Sequence, residues 1–360
     1  MPNKLVFPSR YKHSGTVFSG GMGDVYLCKD VYLQREVVIK FVQDGVPSSF
    51  MDVEIKNLQS IRSKHVVEIY DLIKVPGIKG IGLVQEYLPG ADLTKRVPDS
   101  GDPATFLAKD AYLKLVYQMA CGLKDIHQAN VIHRDIKLNN IKLSAEGVAT
   151  IFDFGIAKPA SEPDTKGFKG TYGYAAPELY GAPPVKVTKG ADVYAFGISA
   201  WFLAVGDIPE ELQALPPSAL TSGLSALRAD LPASVATILS RCLAFDPGGR
   251  PSIGQVEAII ASYIVQGQHR GVLCSSSQRY IVSAAKRAVS VQTSQGKVTI
   301  AYNGIEFRVT LSSGDVYLNN KKIAGAMRLP GASVLVFGEP SLGPRRASFT
   351  FDVSHPEVVL

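Results

Sequence analysis

Two short segments constrain this chain more than any other feature. The first is Val131-Ile132-His133-Arg134-Asp135-Ile136-Lys137-Leu138-Asn139-Asn140-Ile141, and the second is Ile151-Phe152-Asp153-Phe154-Gly155. An Asp on one loop, an Asn shortly downstream and a second Asp on another loop can together place one base and bind two magnesium ions. That is the minimum equipment for moving a phosphoryl group from ATP to a hydroxyl. A short hairpin-like run separates the two segments, so the fold must bring two loops side by side.

The pair resembles the catalytic loop and metal-binding loop of the eukaryotic-type (Hanks-type) Ser/Thr protein kinases in their bacterial style, whose signatures are H-R-D-x-x-x-x-N and D-F-G. The resemblance runs from about Tyr11 to Val265. It implies an α+β, bilobal protein-kinase fold, with a β-rich N-lobe and a helical C-lobe. It also implies ATP and Mg2+ as cofactors and proteins as substrates. Asp135 matches the residue that accepts the substrate hydroxyl's proton. Lys137 matches the lysine that steadies the transferring phosphate and marks the Ser/Thr-specific branch. Asn140 and Asp153 match the magnesium ligands, a sparse oxygen set that suits this ion. Leu138 stands where the family has a proline.

Upstream, Ser19-Gly20-Gly21-Met22-Gly23-Asp24-Val25 looks like the glycine-rich loop over ATP. Backbone amides approach phosphates closely only where no Cβ intervenes, which is the use of Gly20, Gly21 and Gly23. Val38 and Lys40 follow on a β-branched run, Val37 to Val42. Lys40 then matches the lysine that holds the α and β phosphates, with Glu54 as its ion-pair partner. The resemblance adds Val25, Val38, Glu86 and Leu88 as nucleotide contacts. Phe18 stands in place of the family's first glycine, where it either packs on the small lobe or stacks over the nucleotide.

Downstream, Asp153 to Glu178 reads as the activation segment. Arg134 and Lys158 are a candidate pocket for a phosphate on Ser161, Thr165 or Thr171. Thr171 also matches a structural threonine that bonds to Asp135 and Lys137. Glu178 in Ala176-Pro177-Glu178 is expected to pair with Arg250, and Asp192 to anchor the catalytic-loop backbone.

Apolar spacing predicts helices over 48–61 (capped by Ser48 or Ser49), 110–127, 194–205, 234–245 and 253–265. The run Tyr194 to Val205 is the most apolar window and is too short for a membrane span, which needs about 20 residues. The start Met1-Pro2-Asn3-Lys4 lacks the apolar core of a signal peptide. Cys28, Cys121, Cys242 and Cys274 are scattered and form no C-x-x-C pair, so reduced thiols in a cytoplasmic protein are expected.

After the kinase-like part, 11–265, a polar stretch, 266–271, reads as a linker. The remainder, 272–360, reads as a β-rich module. Strands are predicted over 297–302, 306–311, 315–318, 333–337 and 348–353. Turn pairs Asn303-Gly304, Ser313-Gly314 and Asn319-Asn320 separate the first of them. The run Val316 to Gly338 faintly resembles the end of forkhead-associated domains, β-sandwiches that read phosphothreonine. Of the chain's 38 basic residues, 11 lie from Gln268 onward, against 5 of its 32 acidic ones. The net +6 therefore belongs to the segment from Gln268 onward. Such asymmetry points to a phosphorylated or otherwise acidic protein partner rather than nucleic acid. Two other readings compete: a non-enzymatic scaffold of the same fold, and a small-molecule kinase. Ala176-Pro177-Glu178 and Lys137 speak against the second.

Overall fold

A computed structural model describes residues 6–20, 23–42, 49–76, 81–100, 102–155, 157–159, 170–354, 356 and 358. The described residues up to Ile260 form one compact unit and those from Ala261 a second.

The first unit opens with a five-stranded antiparallel sheet of order β1-β2-β3-β5-β4. Its strands are β1 (Tyr11–Gly20), β2 (Gly23–Asp30), β3 (Arg35–Val42), β4 (Ile69–Ile73) and β5 (Gly82–Glu86). Helix α1 (Ser49–Ser60) lies between β3 and β4 in the chain. Val37, Ile39 and Phe41 alternate along β3 and are buried with Tyr11, Cys28 and Val84 on one face of the sheet. Lys40 therefore faces the other side, because strand side chains alternate.

The helical part contains α2 (Lys109–Gln128), β6 (Val131–Ile132), β7 (Ile141–Leu143), β8 (Ala149–Ile151) and β9 (Lys158–Pro159). It continues with α3 (Lys189–Val205), α4 (Glu210–Gln213), α5 (Ala233–Cys242) and α6 (Ile253–Ile264). Helix α3 starts five residues before the apolar run that announces it. Thr188 accepts the Gly190 amide as N-cap, and the first turn carries Gly190 and Asp192, which hydrophobic spacing does not register. The helix ends at Gly206, whose φ of 74° is left-handed. A Cβ there would lie 2.1 Å from the Pro98 carbonyl oxygen. No helix among the described residues is long and apolar enough to cross a membrane.

The second unit contains β10 (Gly271–Cys274), β11 (Arg279–Val282), β12 (Ala288–Gln292), β13 (Gly296–Tyr302), β14 (Phe307–Gly314), β15 (Val316–Leu318), β16 (Lys321–Lys322), β17 (Met327–Arg328), β18 (Ala332–Phe337) and β19 (Ala347–Val353). They form a six-stranded sheet, β11-β10-β19-β18-β15-β16, and a four-stranded sheet, β12-β13-β14-β17. Inward residues of both sheets, among them Leu273, Val291, Ile300, Val309, Leu335 and Phe351, make one apolar core. The turn pairs carry the left-handed backbone that short loops demand. Gly304, Gly314, Asn319 and Asn320 all have positive φ. Strands β10, β11 and β12, four or five residues long, escape the sequence reading, as do the two-residue β16 and β17. The stretch 266–271, read as a linker, is hydrogen-bonded into this unit, from the Gly267 amide to the Gly304 carbonyl (2.7 Å) and from the His269 amide to the Tyr302 hydroxyl (3.3 Å).

Candidate active site

The catalytic loop leaves β6 and is fixed from below by Asp192. This buried carboxylate accepts the amides of His133 (2.8 Å) and Arg134 (2.7 Å) and a hydrogen bond with His127 Nε2 (2.9 Å). Arg134 has φ of 71°, a conformation that costs a non-glycine residue energy and persists only when its surroundings hold it. The two amide bonds to Asp192 supply that hold. Burial alone would push the Asp192 carboxyl up. The His127 contact and the amide bonds outweigh burial, and its pKa lies below the usual value.

Asp135 sits at the centre of a closed polar set. Its Oδ1 accepts the Thr171 hydroxyl (2.6 Å), and its Oδ2 accepts Lys137 Nζ (2.8 Å) and Asn140 Nδ2 (2.9 Å). Lys137 also donates to Thr171 Oγ1 at 2.8 Å. Asn140 Nδ2 donates a second time, to the Asp135 carbonyl at 2.9 Å. Its amide is thereby oriented, and its Oδ1 takes no hydrogen bond from the described residues.

Lys40 donates to both oxygens of Glu54 (2.9 and 3.0 Å) and to Asp153 Oδ1 (3.2 Å). Burial works against the Lys40 ammonium, but the Glu54 and Asp153 carboxylates outweigh it and hold its pKa above the ordinary lysine value. Burial likewise pushes the Asp153 carboxyl up, yet Lys40 pulls it down further, below the usual value. Asp153 also adopts a left-handed φ, 64°, next to the fully buried Phe154, whose ring meets His133 edge-on at 4.6 Å. An oriented, open amide oxygen on Asn140 and a carboxylate on Asp153 that keeps 37% of its surface are hard oxygen donors. They fit a divalent ion that takes its remaining ligands from phosphate and water.

Register explains the upper wall. Phe18 pairs with Val25, Val25 with Lys40, and Lys40 with Leu83. Directly opposed residues share a sheet face, as do residues two apart on one strand. Phe18, Val25, Val38 and Lys40 thus lie on one face. Phe18 is 46% exposed there, so it is not packed into the small lobe. Strands β1 and β2 close at Gly20 opposite Gly23. Gly21 lies outside the described residues, as do Ser48, Ser161 and Thr165. Glu86 ends β5, opposite Val37. Leu88 follows it, and its carbonyl accepts Lys142 Nζ at 2.9 Å.

Lys158 is buried, and its pairing with Ile132 sets it two positions from Arg134 along the loop. Thr171 is bound to Asp135, the residue after Arg134. Farther down, Arg250 clasps Glu178 through two bonds of 2.7 and 2.8 Å. Two participants are not foreseen from the sequence. His127 stands at the end of α2, where an ordinary helix-end histidine gives no signal. Lys142 stands in a strand where a lysine reads as solvated surface.

A family model described as the protein kinase domain matches residues 11–260. The chain belongs to the protein kinase domain family. Among curated proteins it is similar to a probable serine/threonine-protein kinase, PknA2, of Bifidobacterium longum, at 32% identity over 69% of this chain and 32% of that one. It is also similar to the serine/threonine-protein kinase PknA of Corynebacterium glutamicum, at 30% over 72% of this chain and 57% of that one. The serine/threonine-protein kinase PrkC of Bacillus subtilis is 31% identical over 66% of this chain and 38% of its own. The chain thus spans between about a third and somewhat over half of these relatives' lengths. A kinase domain in general uses ATP and a divalent metal.

Proposed function

We propose that this protein is a Ser/Thr protein kinase that transfers the γ-phosphate of ATP to protein hydroxyls. The observation that carries the reading is the closed set about Asp135. A carboxylate held by Thr171, Lys137 and Asn140 is tied, through the Phe152 amide on the Asn140 carbonyl (3.0 Å), to the segment that carries Asp153 and its ion cluster with Lys40 and Glu54. Phosphoryl transfer demands positioning and charge, and little else from the protein.

In this reading Lys40 holds the α and β phosphates, and Glu54 keeps its ammonium aimed and charged. Gly20, Gly21 and Gly23 give backbone amides close access to phosphate, while Val25, Val38, Glu86 and Leu88 contact the nucleotide. Asn140 and Asp153 would hold Mg2+, which when bound would neutralise developing charge on the phosphates. Asp135 aims the substrate hydroxyl and receives its proton as the new P–O bond forms and the β–γ bridge breaks to leave ADP. Lys137 steadies charge on the transferring group. Arg134 and Lys158 receive a phosphate on Thr165 or Ser161, which orders the activation segment. The β-rich unit, 272–360, binds a phosphorylated or acidic protein. Its charge balance and its two-sheet sandwich, the architecture of forkhead-associated domains, support this. Four free thiols support a cytoplasmic setting.

Transfer of labelled phosphate from ATP to a generic basic protein tests the reading. Asp135→Asn should lower turnover by about 10²–10⁴ while nucleotide still binds, the usual worth of a positioned base. Near-normal turnover in that variant sinks the assignment. A parent protein that binds nucleotide without transferring phosphate points to a scaffold instead.

A further inference from the structure

The two faces of the five-stranded sheet are unequally covered. On one face Val37, Ile39 and Phe41 are buried. Tyr26 joins them, its ring centre 5.5 Å from Phe7, 5.6 Å from His13 and 5.9 Å from Phe41. On the Lys40 face, Val25, Leu27 and Val38 stay only half-buried. Leu27 opposes Val38 and Val25 opposes Lys40, so these three side chains form an apolar ceiling beside the ammonium. Val38 lies two residues from Lys40, about 7 Å along the strand. Phe18 opposes Val25 from β1, the sheet's edge strand, and is 46% exposed. Its ring thus extends the ceiling to the rim of the sheet. A glycine, the residue the kinase family carries there, would leave that rim bare.

This inference rests on the kinase reading above. With the α and β phosphates at Lys40, charge is met by charge, and the uncharged sugar and base are left for the apolar ceiling. Nearly half of the Phe18 surface faces water in the free protein. Covering it with the sugar and base removes apolar surface from water, which is favourable. An aromatic ring also stacks on any base, because every base has a π-face. No particular edge of the purine has to be read.

We propose that Phe18 is a nucleotide-contacting residue, whose ring covers the sugar and base of ATP at the rim of the sheet. The test uses the full chain and Phe18→Ala, Phe18→Leu and Phe18→Tyr. Calorimetry gives Kd for ATP with Mg2+, and turnover gives KM for ATP and for one generic basic protein. The Ala variant should raise Kd and KM for ATP about tenfold, within the range of one base–aromatic stacking contact. Leu should fall between, and Tyr should stay within about twofold of the parent. KM for the protein should hold, and so should the melting temperature without nucleotide, since the ring lies outside the small-lobe core. A Kd for ATP that moves less than about twofold in the Ala variant, or falls, overturns the inference, the ring being then idle or an obstruction. Equal rises in both KM values overturn it too, as a general disturbance of the loop. Either result leaves the kinase reading intact. A parent that binds ATP with the expected Ala response but transfers no phosphate refutes the reading and keeps the contact. A parent that binds no ATP overturns both.

Discussion

Removing either end of the Glu178–Arg250 pair should cost far more than a surface ion pair would. Arg250 donates to both Glu178 oxygens at 2.7 and 2.8 Å. The same guanidinium serves the carbonyls of Ala244 (2.9 Å), Gly190 (2.9 Å) and Phe245 (3.3 Å) and lies 4.9 Å from the Tyr194 ring centre. Its side chain is 1% exposed, against 20% for Glu178. Breaking a buried pair from one side costs about 3–5 kcal/mol, because the other charge is left without a partner. Glu178→Ala strands a cation that still has three carbonyls, which sets it near the lower end. Arg250→Ala removes donors from those carbonyls as well and opens a void, which sets it near the upper end. The double variant should cost little more than Arg250→Ala, since Glu178 then has nothing left to lose. The coupling should therefore be about 3 kcal/mol. For a unit of roughly 250 residues, 1 kcal/mol moves Tm by about 2–4 °C, so Arg250→Ala should melt about 10–20 °C lower. Thermal unfolding, read on the transition that rises with added ATP and Mg2+, measures all three variants. Single costs that simply add, with coupling under about 0.5 kcal/mol, would refute the reasoning.

Other consequences follow from the same contacts. The Asp192 carboxyl is held below its ordinary value of 3.8, so its contribution to stability is present above that pH and drains as pH falls through the lower, folded value. Asp192→Asn should accordingly be destabilised by a constant amount near neutrality, with the gap to the parent closing below about pH 4. A gap that widens in acid would contradict the sign. Incubation with ATP and Mg2+ should deposit phosphate between Pro159 and Thr171, detectable by mass spectrometry. A fully active enzyme with that segment unmodified excludes control by this route. Removal of residues from Gln268 onward leaves α6 whole, and the remaining kinase should keep activity on a generic substrate while losing selectivity for its own. Partner binding by the detached surface charge should fall steeply with salt, since screening shortens to about 3 Å at 1 M. Inactivity of the shortened chain on every substrate would show that the β-rich unit belongs to the catalytic core.

The sequence by itself determined which side chains are available for chemistry and in what order. Asp135, Lys137, Asn140 and Asp153 stand out in the sequence because the phosphoryl transfer proposed above needs those residue types, and a residue type is a local property. The strands and helices with strong apolar alternation, such as Val37 to Val42 and Ile253 to Val265, are legible for the same reason. Tertiary structure alone decided who meets whom. Asp192 reaches His127, His133 and Arg134 from about sixty residues away, and only closure of α3 onto the catalytic loop brings them together. Lys142 finds the Leu88 carbonyl across 54 positions, a contact no spacing announces. The face shared by Phe18, Val25, Val38 and Lys40 exists only once the strand register is set, and that register puts the Phe18 ring outside the small-lobe core. Strand β10 completes its sheet by pairing with β19, some eighty residues later. Strands this short gain little from their own side chains, so pairing and burial supplied by distant residues make them strands.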